Sequence, residues 1–154
     1  MDLLRTLLSW LLAAFIIFVF VQAAIHPLPN PPLGQVKLYD LPGQNIVFQT
    51  MADRSGMAVF EPSVRVLTAL AELVAAFFLL LPWTRRFGAM LAAMIMVGAV
   101  GFHLSPWLGR EIPVSLEAGA PTDGGQLFML AVAMLVASLL LIFVHPQPKR
   151  KRPF

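Results

Sequence analysis

Residues 66–104 read VLTALAELVAAFFLLLPWTRRFGAMLAAMIMVGAVGFHL, two apolar runs joined by Thr84-Arg85-Arg86. A helix that crosses a bilayer needs about 20 mostly apolar residues at 1.5 Å rise each, and both runs qualify. Their joint is so short that the two helices must be antiparallel neighbours. Two more runs of this kind flank them, Leu7 to Ile25 and Leu127 to Val144. The spans 7–25, 66–83, 87–104 and 127–144 therefore predict an all-α integral membrane four-helix bundle. It forms a single membrane domain, with a long outer segment, 26–63, between the first and second helices.

Composition agrees. The chain of 154 residues is 58% hydrophobic and 12% charged, against roughly 45–50% and about 25% in soluble domains. So few ionic groups cannot build a water-exposed surface. The isoelectric point near 10.0 reflects a net charge of only +3, and no nucleic-acid partner is expected. With no cysteine, disulfides, cysteine-ligated metals and thiol redox chemistry are excluded. No phosphate-binding loop, dinucleotide fingerprint or nucleophile elbow occurs. His26 and His103 both fall near the outer face, but their spacing matches no metal or haem motif, and none is expected.

Lysine and arginine counts set the expected orientation. One side holds Arg5, Arg85, Arg86, Lys149, Arg150, Lys151 and Arg152; the other holds Lys37, Arg54, Arg65 and Arg110, diluted by six acids. Both termini are expected in the cytoplasm, with the basic tail, 145–154, touching anionic lipid. A competing reading takes Leu7 to Val21 as a signal-peptide core cleaved near Val21-Gln22-Ala23. Against it, Asp2 cancels Arg5 in the leading segment and the apolar run is long for a signal.

The outer segment opens with a proline run, His26 to Pro32, which cannot be helical. Val47, Phe48, Met51 and Ala52 then fall at helical spacing within Ile46 to Met57. A short amphipathic helix at the outer leaflet is expected there, with Asp53 and Arg54 toward water and Gly56 ending it. Pro62 suits a first helical turn. Residues 105–126 read as an outer loop, and Trp83 and Trp107 fall at the membrane borders.

Glu72 is the costly residue, since an ionisable group inside a span is expensive and marks a functional position by default. Arg65 precedes it by seven residues, two helical turns, on a stripe that also carries Thr68, Ala69 and Ala76. Phe77, Phe78 and Leu81 lie elsewhere. A face of small and polar residues belongs inside a bundle. In the next span, steps back from His103 give Ala99, Met96, Ala92 and Ala89, and Gly88-x-x-x-Ala92 permits close helix contact. Glu72, Arg65 and His103 are thus expected to share one polar recess open to the outer side. It would titrate, bind an anion or quinone head group, or form a satisfied network.

These residues carry a resemblance. Arg65-x6-Glu72-Leu73-Val74-Ala75-Ala76, then Leu79-Leu80-Leu81-Pro82, Arg86-x-Gly88-Ala89, Gly98-Ala99 and Phe102-His103-Leu104 resemble the DoxX-like four-helix membrane proteins. That family places a lysine after the first span, a glutamate in the second and a histidine in the third; Lys37, Glu72 and His103 match in order. The proline-rich insert before Lys37 marks a divergent branch. The resemblance implies a bacterial inner-membrane location and an accessory role in a quinone-linked redox or envelope-stress system. Quinone is then the implied ligand, and a protein partner or second copy of the chain is implied as well. The alternatives are a non-catalytic scaffold whose outer segment engages a partner, and a small proton or weak-acid transporter. Lacking an intrinsic redox centre, the chain is expected to be a non-enzymatic subunit in the lipid bilayer.

Overall fold

A computed structural model describes residues 2–30 and 34–145. Five helices follow in order: α1 (Asp2–Ile25), α2 (Ile46–Ser55), α3 (Ser63–Leu80), α4 (Arg85–Leu104) and α5 (Gln126–Val144), with a 3-10 turn, Ala58–Phe60, before α3. Among the described residues the β-pairing is a single bridge, Pro113 to Thr122. Pro31 and Pro32 of the proline run, and the basic tail beyond His145, lie outside the described residues.

Four of the helices, all but α2, are long and apolar enough to cross a membrane. The twenty residues of α4 extend about 30 Å, the thickness of a hydrocarbon core. Round the bundle the order is α1, α3, α4, α5, so α1 packs on α3 and α5, and α4 on the same two. Every neighbouring pair is antiparallel. One end carries the long connections, 26–62 and 105–125, and the other carries the 81–84 turn, the start of α1 and the end of α5. These are called below the connection end and the turn end.

α3 starts and stops three residues earlier than the sequence suggests. Its stop is Pro82, which biases the preceding residue to extended backbone; Leu81 sits at φ −92°, ψ 119°. Thr84 Oγ1 then donates to the carbonyls of Phe78 and Leu81, at 2.9 and 3.2 Å, and closes the turn.

The core is built largely from small side chains. Ala13, Ala75, Ala76, Ala89 and Ala92 are buried alongside Ile16, Phe20, Leu79, Met134 and Leu141. Lipid offers helices no hydrophobic reason to associate, so close packing has to hold them. Gly88 shows how close: a Cβ there would lie 2.7 Å from Leu79 N and 2.9 Å from Phe78 C. The exposed remainder is bulky and apolar, including Phe77, Phe87, Met94 and Phe143, as a lipid-facing surface should be.

At the turn end Arg85, expected only as a topological charge, is buried. Its guanidinium lies 3.6 Å over the Trp10 ring; Nε donates to Leu79 O at 2.9 Å and Nη1 to Ser9 Oγ at 3.3 Å. Ser9 Oγ also meets His145 Nδ1 at 2.9 Å, and His145 Nε2 meets Pro82 O at 2.9 Å. One polar chain thus ties α1, the 81–84 turn and the end of α5 together.

At the connection end α2 forms as the amphipathic pattern predicts. Asn45 Oδ1 accepts from Phe48 N at 3.2 Å and caps its start; Gly56, at φ 73°, caps its end. Asp53 and Arg54 face outward while Phe48 and Met51 are buried. They pack with Phe60, Leu108 and Ile112 into a second apolar cluster, so α2 lids the bundle.

Candidate functional site

Beneath that lid lies a cavity of about 370 Å³, walled by Val19, Phe20 and Ala23 of α1, Ala71 of α3, Met94 and Met96 of α4, and Leu130 and Met134 of α5. Four polar side chains reach its lining: Lys37, Thr68, Glu72 and His103.

Glu72 is placed by α3 on the buried stripe, 3% exposed. Its partner is Lys37, whose Nζ lies 2.8 Å from both carboxylate oxygens. Lys37 reaches it because the chain after the proline run folds back on α1: the amides of Lys37 and Leu38 donate to Ala23 O and Ala24 O at 3.1 and 3.0 Å. Those bonds satisfy carbonyls that the end of a helix leaves open.

Arg65 does not join Glu72, contrary to the spacing argument. Glu61, four residues before it, takes the guanidinium: Arg65 Nε lies 2.9 and 2.8 Å from the two Glu61 oxygens. Arg65 Nη1 donates to the backbone carbonyl of Lys37, and Gly43 N donates to Glu61 Oε1 at 3.2 Å. Arg65 is 2% exposed and works as a strut that fixes the Lys37 segment against α3. The recess expected to open outward is likewise corrected. The apolar face of α2 covers that end, through Val47, Phe48 and Met51, and exposed residues of the cavity lining lie on the flank of the bundle. There Leu67 of α3 and Met94 of α4 are exposed, beside Gly98, where a Cβ would meet nothing within 4 Å.

His103 ends α4 and lines the cavity together with Glu72. No bond joins the two among the described residues. His103 Nδ1 lies 2.9 Å from Gly109 O, and its ring packs at 5.7 Å from Phe128. The loop supplying that carbonyl is held from both sides. Arg54 Nη1 donates to Leu108 O at 2.7 Å. Asp123 accepts from the amides of Ile112, Gly125 and Leu127 at 2.9–3.0 Å. Partial burial raises the carboxyl pKa of Asp123, but these three donors outweigh it and hold the group below the ordinary 3.8.

Thr68 donates its hydroxyl proton to Val64 O at 2.8 Å. Among the described residues no three His, Asp or Glu side chains are spaced to hold a metal ion. Sequence reasoning missed Glu61, Ser9 and the burial of Arg85. Helical spacing does not signal the Glu61–Arg65 pair, because Glu61 precedes α3 in extended backbone, at φ −128° and ψ 118°.

Fold and site together define a class: a multi-pass helical membrane protein with an ionisable pair inside the bundle, beside an apolar cavity. Compared with protein-family models, curated proteins and solved structures, the chain gives no match.

Proposed function

We propose that the protein is a DoxX-like accessory subunit of a membrane redox system that holds a quinone-class amphiphile in the cavity under α2. The observation carrying this reading is the cavity itself. It is an apolar chamber of about 370 Å³ with four polar groups, its lining exposed at Leu67 of α3 and Met94 of α4 on the flank of the bundle. Ligand sites are mostly apolar with a few placed polar groups, and a ring with polar edges and an apolar tail matches that pattern. Such a ligand dissolves in the bilayer and enters through its side. Lys37, Glu72 and His103 would face the head group. A bound quinone would supply the electron-accepting chemistry; the chain holds and orients it, and a partner subunit carries the other redox centre. The distribution of lysine and arginine supports both termini lying in the cytoplasm, and the resemblance implies the bacterial inner membrane.

The test is the lipid extract and optical spectrum of protein purified in mild detergent. Quinone is expected at close to one per chain, and much less in Glu72→Gln. An extract without quinone, together with no binding of added quinone, would overturn the reading.

A further inference from the structure

We propose that the cavity selects a head group that donates a hydrogen bond, a phenolic or alcoholic hydroxyl, over a carbonyl or ether of the same shape, and that His103 Nε2 makes the selection. This deepens the reading of the cavity as a ligand site and rests on it. The argument is a count of protons. A backbone carbonyl can only accept, so the 2.9 Å contact between His103 Nδ1 and Gly109 O places the hydrogen on Nδ1. A neutral imidazole carries one N–H, which leaves a lone pair on Nε2. The peptide that leads into Gly109 is held on both sides, because Gly109 N donates to Ser105 O at 3.1 Å and Arg54 Nη1 donates to the Leu108 carbonyl at 2.7 Å. Nε2 is the ring nitrogen left for a ligand, and among the described residues nothing donates to it.

Two of the other lining groups have the same polarity. Thr68 has given its proton to Val64 O and keeps only lone pairs for the cavity. Glu72 accepts. Lys37 Nζ carries three N–H donors, two of them directed at the Glu72 oxygens at 2.8 Å, and the third is left for a ligand acceptor. Three acceptors and one spare N–H of Lys37 face the ligand, so a hydroxyl can accept from Lys37 and donate to His103 at once, while a carbonyl or ether can only accept. A hydroxyl completes His103, whereas a carbonyl or ether sets lone pair against lone pair and leaves Nε2 unpaired in an apolar wall. A net hydrogen bond of about 1.4 kcal/mol corresponds to about a tenfold preference.

The experiment compares a long-chain alkylphenol with its methyl ether, binding to the full chain in detergent, each affinity corrected for partition into empty micelles. The phenol is expected to bind about tenfold tighter. His103→Asn retains a side-chain N–H for Gly109 O but has no atom at the Nε2 position, so it should bind both probes equally, at the wild-type affinity for the ether. His103→Gln, whose amide oxygen can replace the acceptor, should keep part of the preference. Equal binding of both probes to the wild type overturns the selection and leaves the ligand site standing. A preference that survives His103→Asn overturns the assignment to His103. Binding of neither probe overturns the ligand site, and this inference with it.

Discussion

The carboxylate of Glu72 exchanges its hydration for one ammonium group, Lys37 Nζ at 2.8 Å from both oxygens. A buried carboxylate and a partly buried ammonium attract strongly, but both have lost water, so the pair is a weak net stabiliser while either half alone is a liability. Glu72→Leu or Lys37→Met alone should therefore destabilise the protein by about 3–5 kcal/mol. The double substitution should recover most of that loss, which gives a large coupling energy in a double-mutant cycle. Thermal unfolding in detergent measures it, and additive losses would show that the two side chains are not paired. Glu72 was legible in the sequence because a carboxylate in an apolar run is conspicuous. Its partner was not legible from local spacing: Lys37 lies 35 residues away, across a proline run whose path no periodicity describes. The resemblance alone placed Lys37 among the candidates, and the nearer Arg65 drew the pairing argument, because the extended backbone of Glu61 before α3 leaves its pairing with Arg65 without a helical signal.

Between elements, helix contacts here depend on what is missing from a side chain. Gly88 brings α4 against the end of α3 at a distance no Cβ tolerates, because the obstacle is the backbone of Phe78 and Leu79. Gly88→Ala should lower stability by at least about 1–3 kcal/mol, the range for overpacking. Gly98→Ala, with open space around its Cβ, should gain slightly from helix propensity. Equal effects in a denaturation series would contradict the packing. The Gly88-x-x-x-Ala92 pattern made this contact legible, as the apolar spacing did for α2. The turn end was less so, because its joints run through backbone carbonyls, which a sequence does not display. His145 is one such joint. Burial lowers its pKa below the usual 6.5, Arg85 and Arg86 push the same way, and the Pro82 hydrogen bond only partly opposes them. The unfolded chain thus takes up protons first, so stability rises with pH through the window just below about 6.5 and falls as the pH drops through it. Melting temperatures followed from about pH 5 to pH 8 should show that slope, and His145→Gln should flatten it. An unchanged slope in the variant would assign it to other groups.

For the whole molecule, the scarce charges matter through where they lie. Arg85 and Arg65 are buried at opposite ends of the bundle, each engaged by neighbours, yet both still count in the lysine and arginine asymmetry that orients a membrane protein. The turn end, with Arg5, Arg85 and Arg86 and no acid in the 81–84 turn, carries the less diluted positive charge. The proposed orientation follows from this asymmetry, with the turn end in the cytoplasm and the lid helix α2 outside. The absence of cysteine makes the orientation measurable with single introduced thiols. Tyr39 of the connection end is 71% exposed and Trp83 of the turn end 79%, so either position accepts a thiol without touching the core. On intact bacterial cells, a membrane-impermeant maleimide should label Tyr39→Cys at once and Trp83→Cys only after the cells are opened. The reverse pattern would invert the orientation. Labelling of both positions from outside would contradict the four-span arrangement, because an odd number of crossings must separate the 81–84 turn from the α2 lid.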